Sequence, residues 1–318
     1  MKEAQQLGRL ATAMVSPFSR NGELNVEQAE KLATHLVDTG TKTVIVTGTT
    51  GESPTLTEGE RMLLINAARK GVGNRAKVIA GTGTNSTAQS IHLSRLAQAE
   101  GAQGLLLVTP YYNKPTQEGL FRHFEAIAES TDLPQILYNV PSRTGINIEA
   151  KTVERLDREC GNIVGLKEAV GLKTEVKNGE DKISGAAQIA LILENRTEGF
   201  EVWSGNDQDT LPMMRQGAYG VVSVASHLTG DLIRRMINHH VAGENDQAQQ
   251  LHDHLMPLFN ALFPNEYFSD SNPSAIKAAL NLTGMEVGGL RLPLVSVPDS
   301  YKDRLQVLLA EYDLTNGP

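Results

Sequence analysis

The sequence of 318 residues has one cysteine, Cys160, so no disulfide can form within the chain, and this scarcity suits a reducing cytoplasm. It has no run of about 18 apolar residues, which argues against a membrane span. Its first residues, Met1 to Gln6, contain no apolar stretch of signal-peptide type. It also lacks positive charge: 29 Lys and Arg against 37 Asp and Glu leave a net charge of -8. Non-specific nucleic-acid binding is therefore not expected, and an anionic substrate would need positive groups placed locally. No GxxxxGK[ST] loop and no CxxC pair occurs, so nucleotide and structural zinc sites have no support.

What the chain does contain is a strand-then-helix alternation. At 40% hydrophobic residues it can bury a substantial core. Short aliphatic runs predict strands at Ala11–Val15, Val44–Val46, Val78–Ala80, Leu105–Val108, Gln135–Tyr138, Ile163–Leu166, Val202–Ser204 and Gly220–Val224. Helical periods follow them. Asn25 and Gln28 form a capping-box pattern before Val26–Val37, Gly40 closes that helix, and Thr57 with Glu60 repeats the signal. Ser86 and Thr116 open two further helices, and another lies around Glu149–Arg158. The polar stretch from Lys173 to Ile183 has no apolar period and is expected to be an exposed loop or extra turn, followed by a helix near Ala186–Glu194. Eight strand–helix units predict a parallel sheet closed into a (β/α)₈ TIM barrel over residues 1–235. Residues 236–318, with Ala248, Leu251, Leu255, Leu258, Phe259 and Leu262 at helical spacing, predict a C-terminal helical appendage.

Catalytic groups of such barrels sit where strands end. Lys167 follows the apolar run Ile163-Val164-Gly165-Leu166. Burying an ammonium is costly, and a neutral amine is a nucleophile whose characteristic use is a Schiff base with a carbonyl substrate. The plainer alternative is a lysine head that snorkels to water. Gly48-Thr49-Thr50-Gly51-Glu52 can hold a small carboxylate on backbone N–H groups and hydroxyls, or be an ordinary βα turn. Tyr138 ends the strand next to that of Lys167 and can move protons. Arg143, in the following loop, can clamp a carboxylate or form a surface ion pair. Tyr111 and Tyr112, between prolines, suit packing or a subunit contact. Trp203 is expected in the core. His239, His240, His252 and His254 lack a carboxylate placed to complete a metal site, so no metal is expected.

Taken together, Thr12-Ala13-Met14-Val15, Gly48 to Glu52, Ala80-Gly81-Thr82-Gly83, Thr109 to Pro115, Tyr138 to Gly145 and Gly165-Leu166-Lys167-Glu168-Ala169 closely resemble the dihydrodipicolinate synthase family. That family lies within the pyruvate-dependent class I aldolases, alongside N-acetylneuraminate lyase. The likeness reaches Asn272-Pro273 and Gly289 to Leu294. It implies that Lys167 forms a Schiff base with pyruvate, that Tyr138, Thr49 and Tyr112 form a proton relay, and that Tyr111 lies at a subunit contact. It implies that Thr50 and Val222 bind pyruvate, that Gly205 lines the same pocket, and that Arg143 receives the carboxylate of L-aspartate 4-semialdehyde. A tyrosine donated across a tight dimer implies a homotetramer, a dimer of dimers. The protonated imine is itself the electron sink, so no cofactor is expected.

The segment from Leu172 to about Glu198 is longer and more polar than is usual in the family. Competing readings are another pyruvate-dependent aldolase acting on a sialic acid or keto-deoxy sugar acid, which would share Lys167 and Tyr138, and a non-catalytic keto-acid sensor. Thr50 and Arg143 favour the semialdehyde, and intact Lys167, Tyr138 and Thr49 favour catalysis. Family members inhibited by L-lysine tend to carry histidines in the helix after Gly-Thr-Thr-Gly-Glu and a glutamate in the helix after Gly-Thr-Gly-x-Asn. Here Glu58, Arg61 and Gln89 stand at those places, with Ser53, Asn85 and Tyr111 retained. The resemblance then implies weak or absent inhibition by L-lysine.

Overall fold

A computed structural model describes residues 4–263 and 272–314. Residues 264–271 and 315–318 of the expected appendage lie outside the described ones. The chain runs through β1 (Leu10–Ala13), α1 (Val26–Asp38), β2 (Thr43–Val46), α2 (Glu58–Val72), β3 (Lys77–Gly81), α3 (Thr87–Ala99), β4 (Leu105–Val108), α4 (Gln117–Ala128) and β5 (Gln135–Asn139). It continues through α5 (Pro141–Thr144), α6 (Ala150–Glu159), β6 (Ile163–Glu168), β7 (Glu175–Asn178), β8 (Asp181–Ser184), α7 (Gly185–Asn195), β9 (Glu201–Ser204), α8 (Thr210–Arg215) and β10 (Gly220–Ser223). Four helices follow: α9 (Ser226–Val241), α10 (Asn245–Leu262), α11 (Ser274–Leu282) and α12 (Asp299–Glu311).

Among the described residues, eight strands close a barrel in the order β1-β10-β9-β6-β5-β4-β3-β2. The pairs β3–β4, β4–β5, β5–β6, β6–β9 and β9–β10 are parallel. Strands buried on both faces carry continuous apolar runs, and every residue of β1, β2, β5, β6, β9 and β10 is buried. The expected strand cores all recur, and β4 has the expected ends. β6 extends two residues beyond Leu166, so Lys167 lies in an apolar strand close to its end, as expected.

Caps set several helix starts. Thr57 and Glu60 complete a capping box, while Ser86 and Thr116 cap α3 and α4 through their hydroxyls. At α1 only half of the expected box is made: Asn25 accepts from the Gln28 N–H, but the Gln28 amide donates to Met285 Sδ at 3.2 Å.

The polar stretch after Gly171 is not a loop but an antiparallel hairpin, β7–β8. Its two-residue turn, Gly179-Glu180, has Gly179 at φ +67°, where a type II′ turn favours glycine. Val176 faces Ile183 across the pair, which gives the hairpin one apolar contact among charged neighbours.

The chain forms two compact units, Met1–Ala11 with Ile79–Val222 and Thr12–Val78 with Ser223–Pro318. In the first, α3, α4, α6 and α7 pack in succession, and Phe121, Phe124 and Trp203 are buried. The Trp203 indole donates to Gly8 O at 3.0 Å, which satisfies its one polar atom, as expected of a core residue. In the second, α1 packs on α2, α9 on α10 and α11 on α12. Ala29, Leu32, Ala33 and Leu36 form the buried stripe of α1. Leucines buried in this way contribute roughly 1.5–3 kcal/mol each. His227, fully buried, donates from Nδ1 to Val224 O at 2.8 Å and accepts the Val15 N–H on Nε2 at 3.2 Å. Burial lowers its pKa to about 4 and so keeps this neutral tautomer. Among the described residues no helix is long and apolar enough to cross a membrane.

Candidate active site

In the first unit, β5 and β6 run side by side with Tyr138 opposite Lys167 and Asn139 opposite Glu168. Lys167 is 5% exposed and Tyr138 6% exposed. The Lys167 Nζ lies 4.2 Å from the centroid of the Tyr138 ring. The ring face attracts the ammonium by about 0.5–2 kcal/mol and holds the amine next to the phenol. The lysine therefore does not snorkel: its head stays inside, against Tyr138.

Successive strand residues point to opposite faces, so Glu168 leaves the face that carries Lys167. It is completely buried. Its carboxyl oxygens accept from Asn139 Nδ2 at 3.0 Å each, from the Val170 N–H at 2.9 Å and from Gln188 Nε2 of α7 at 3.1 Å. Burial pushes its pKa up to about 7, against the pull of these donors.

The loops after β4 and β5 are tied together. The Thr109 hydroxyl donates to Thr144 Oγ1 at 3.2 Å, and the Tyr112 N–H reaches Thr144 O at 3.4 Å. Arg143 sits in the short helix α5, exposed, one residue before Thr144. Tyr112 has φ +74° and is 89% exposed. A left-handed tyrosine is costly and persists only where surrounding contacts fix it. Within one chain its ring is not packed on the buried Lys167–Tyr138 pair. Tyr111 is also exposed. Val222 is buried in β10. At Gly205 a Cβ would stand 2.6 Å from the Ala169 Cβ, and its N–H donates to Glu168 O at 2.7 Å. That glycine is thus also required for packing against the end of β6.

In the second unit, the loop after β2 begins and ends on left-handed residues, Thr47 (φ 56°) and Glu52 (φ 54°). The Glu52 N–H donates to Thr49 O and the Ser53 N–H to Gly48 O. Thr49 is half-buried, and Thr50 is buried with its hydroxyl accepting from Asn272 Nδ2 at 3.1 Å. Glu52 makes a fully buried ion pair with Lys277 of α11, Nζ to Oε1 at 2.6 Å. Lys277 also donates to Gly289 O, and the Arg291 N–H donates to Glu52 Oε2 at 3.0 Å. The Arg291 guanidinium binds Glu60, whose carboxyl it holds down at about 2. The ring of Phe18 lies against both cations, 4.2 Å from Lys277 Nζ and 4.3 Å from the Arg291 guanidinium carbon. C-terminal residues thus hold the loop that carries Thr49 and Thr50.

Sequence reasoning missed Glu168, Asn139, Gln188 and Lys277. One signal was available: Lys277 is the only charged residue in the apolar helix Ser274–Leu282. Among the described residues no three His, Cys, Asp or Glu side chains group to hold a metal.

The dihydrodipicolinate synthetase family model matches residues 6–312. The 4-hydroxy-tetrahydrodipicolinate synthase of Symbiobacterium thermophilum is 48% identical over 304 residues, 96% of this chain and 97% of that protein. Among solved structures, the enzyme of Cyanidioschyzon merolae with lysine bound superposes with a TM-score of 0.90 at 42% identity, covering 98% of this chain and all of the other. The chloride-inhibited dihydrodipicolinate synthase of Acinetobacter baumannii in complex with pyruvate gives a TM-score of 0.88 at 35% identity, covering 97% and 99%. A buried lysine set against a tyrosine at the end of a parallel barrel thus lies within a match that spans almost the whole sequence, and the chain belongs to the dihydrodipicolinate synthetase family.

Proposed function

We infer that this chain condenses pyruvate with L-aspartate 4-semialdehyde to 4-hydroxy-tetrahydrodipicolinate, the synthase step of lysine and diaminopimelate biosynthesis. The observation that carries the reading is the Lys167–Tyr138 pair, buried at one register position of β5 and β6 in a chain of this family. The Lys167 amine adds to the pyruvate ketone, and loss of water leaves an iminium. The iminium draws electrons from the methyl group, which releases a proton to give an enamine. The enamine carbon attacks the aldehyde, and the acceptor's own amine then closes on the imine carbon and frees Lys167. Each step moves a proton, which is the part assigned to Tyr138, Thr49 and Tyr112.

Thr50, Val222 and Gly205 are assigned to pyruvate, whose carboxylate suits the hydroxyls and N–H groups of the Gly48–Glu52 turn. Arg143 is assigned to the carboxylate of the semialdehyde; its exposed position in α5 suits an incoming second substrate. The exposed, left-handed Tyr112 supports a tight dimer in which each chain supplies this ring to its partner, and a homotetramer built from two such dimers. The reading carries a cytoplasmic location, in keeping with a chain whose one cysteine, Cys160, can form no disulfide within it. Borohydride added with pyruvate, followed by peptide mapping and a turnover assay with the semialdehyde, tests it. The expected adduct is on Lys167. An unmodified Lys167, or turnover of a sialic acid instead, overturns it.

A further inference from the structure

Tyr138 and Lys167 face each other on one face of the β5–β6 pair, and the very next residues, Asn139 and Glu168, face each other on the opposite one. The second pair is directly bonded. The Asn139 amide donates to both Glu168 oxygens, while Asn139 Oδ1 accepts the Ile148 N–H at 3.2 Å, which fixes the amide's orientation. Behind them, Gln188 donates to Glu168 and to Asn147, and Asn147 donates back to Gln188 Oε1 at 2.7 Å and to Lys177 O of the hairpin at 2.9 Å.

Several donors therefore converge on the Glu168 carboxyl, among them the Asn139 amide, the Val170 N–H and the Gln188 amide. Only a carboxylate offers acceptor oxygens on both sides; a glutamine of the same size would turn an NH₂ toward donors. A buried carboxyl held by neutral amides is an expensive device for structure alone, since an apolar side chain would suit a barrel wall. Its place explains it. The bond lies one residue beyond the two groups whose separation the amine chemistry needs.

We propose that Glu168 is a positioning residue for the reaction: by bonding Asn139 it clamps the ends of β5 and β6 together and so holds Tyr138 in proton-transfer geometry beside the Lys167 amine. The hairpin β7–β8, joined to the clamp through Asn147, braces it from the rim. The proposal rests on the synthase reading given above.

The test is the rate of imine formation with pyruvate alone, trapped by borohydride at Lys167, in Glu168→Gln, Asn139→Ala and Gln188→Met. Pyruvate KM, kcat and thermal midpoint are measured alongside. Glu168→Gln is expected to slow imine formation and kcat tenfold or more, with pyruvate KM changed less than threefold. Asn139→Ala is expected to give the same split, because it cuts the same bond. Gln188→Met leaves that bond in place and is expected to lower the midpoint without a comparable loss of rate. An imine rate within twofold of wild type in Glu168→Gln, or rate losses that simply follow the midpoints across all three variants, overturns the proposal. If Glu168→Gln does not fold, Asn139→Ala decides by the same criteria. Wild-type protein that traps no pyruvate overturns the synthase reading and this one with it; normal wild-type trapping with unaffected variants overturns the clamp alone.

Discussion

Replacing Lys277 by methionine should be among the most damaging single changes outside the chemistry. The side chains of Glu52 and Lys277 are 0% and 1% exposed, and they meet at 2.6 Å. In Lys277→Met the hydrocarbon stem is retained, so little packing is lost, but the fully buried Glu52 loses its cation. The Arg291 N–H still donates to Glu52. Removing one partner of a buried pair costs about 3–5 kcal/mol, because the other charge is left uncompensated. With an unfolding entropy of about 2.1 cal/mol/K per residue, that corresponds to a fall in thermal midpoint of roughly 4–8 °C for 318 residues. The double variant Lys277→Met/Glu52→Gln removes both charges and should recover most of the loss, with a coupling on the order of 1–3 kcal/mol. Because Glu52 ends the loop that carries Thr49 and Thr50, the single variant should also raise pyruvate KM. Urea denaturation of wild type, both single variants and the double variant measures the cycle. A single variant that costs under about 1 kcal/mol, or a double variant no more stable than Lys277→Met, would refute the reasoning.

Stability should fall on acidification from about pH 6.5 to 4. His227 and His123 both have folded pKa values of about 4 against the usual 6.5, because each is buried. Between those values the unfolded chain binds the extra protons, which costs about 3 kcal/mol for each histidine. Glu168 works in the opposite direction: its folded value of about 7 exceeds the usual 4.5, so its contribution is lost as pH rises through that window. The two histidines outweigh it by about 3 kcal/mol, and urea midpoints that stay level between pH 7 and 4 would contradict this. Arg143→Ala should lower kcat/KM for the semialdehyde by roughly ten- to more than hundredfold through loss of about 1.5–3 kcal/mol, with imine formation at Lys167 intact; unchanged kinetics for that substrate would remove Arg143 from the site. L-lysine should inhibit weakly or not at all. Arg61 adds positive charge and already donates to Ser53 O at 2.6 Å, and Gln89 supplies no anion for an ammonium. Inhibition at sub-millimolar lysine in initial-rate assays would refute that.

The barrel was legible because its strands are buried on both faces and so appear as aliphatic runs, β4 being the clearest. Helix starts were legible where a hydroxyl caps them, as at Thr57, Ser86 and Thr116. The hairpin was hidden by its charge: Lys177 stands opposite Lys182, and Val176 is the only buried residue of its strand. Gly179, the first residue of its two-residue turn, was the overlooked signal. Lys167 stood out because a lysine in an apolar run is costly. Glu168 did not, since the donors that justify its burial come from Asn139 and from Gln188, 29 and 20 residues away. Glu52 and Lys277 are 225 residues apart, beyond any local pattern.

That last separation has a consequence for the order in which the enzyme becomes itself. Glu52 leaves the ribosome early, and its ionic partner is made 225 residues later. At about 5–20 residues per second the interval is roughly 10–45 s. During it the carboxylate has no cation of its own and is best served by water, so the turn bearing Thr49 and Thr50 has no reason to close. All eight barrel strands can be synthesised before that turn is secured. Nascent chains released before α11 should therefore be inactive even when every residue assigned to the chemistry has already been translated.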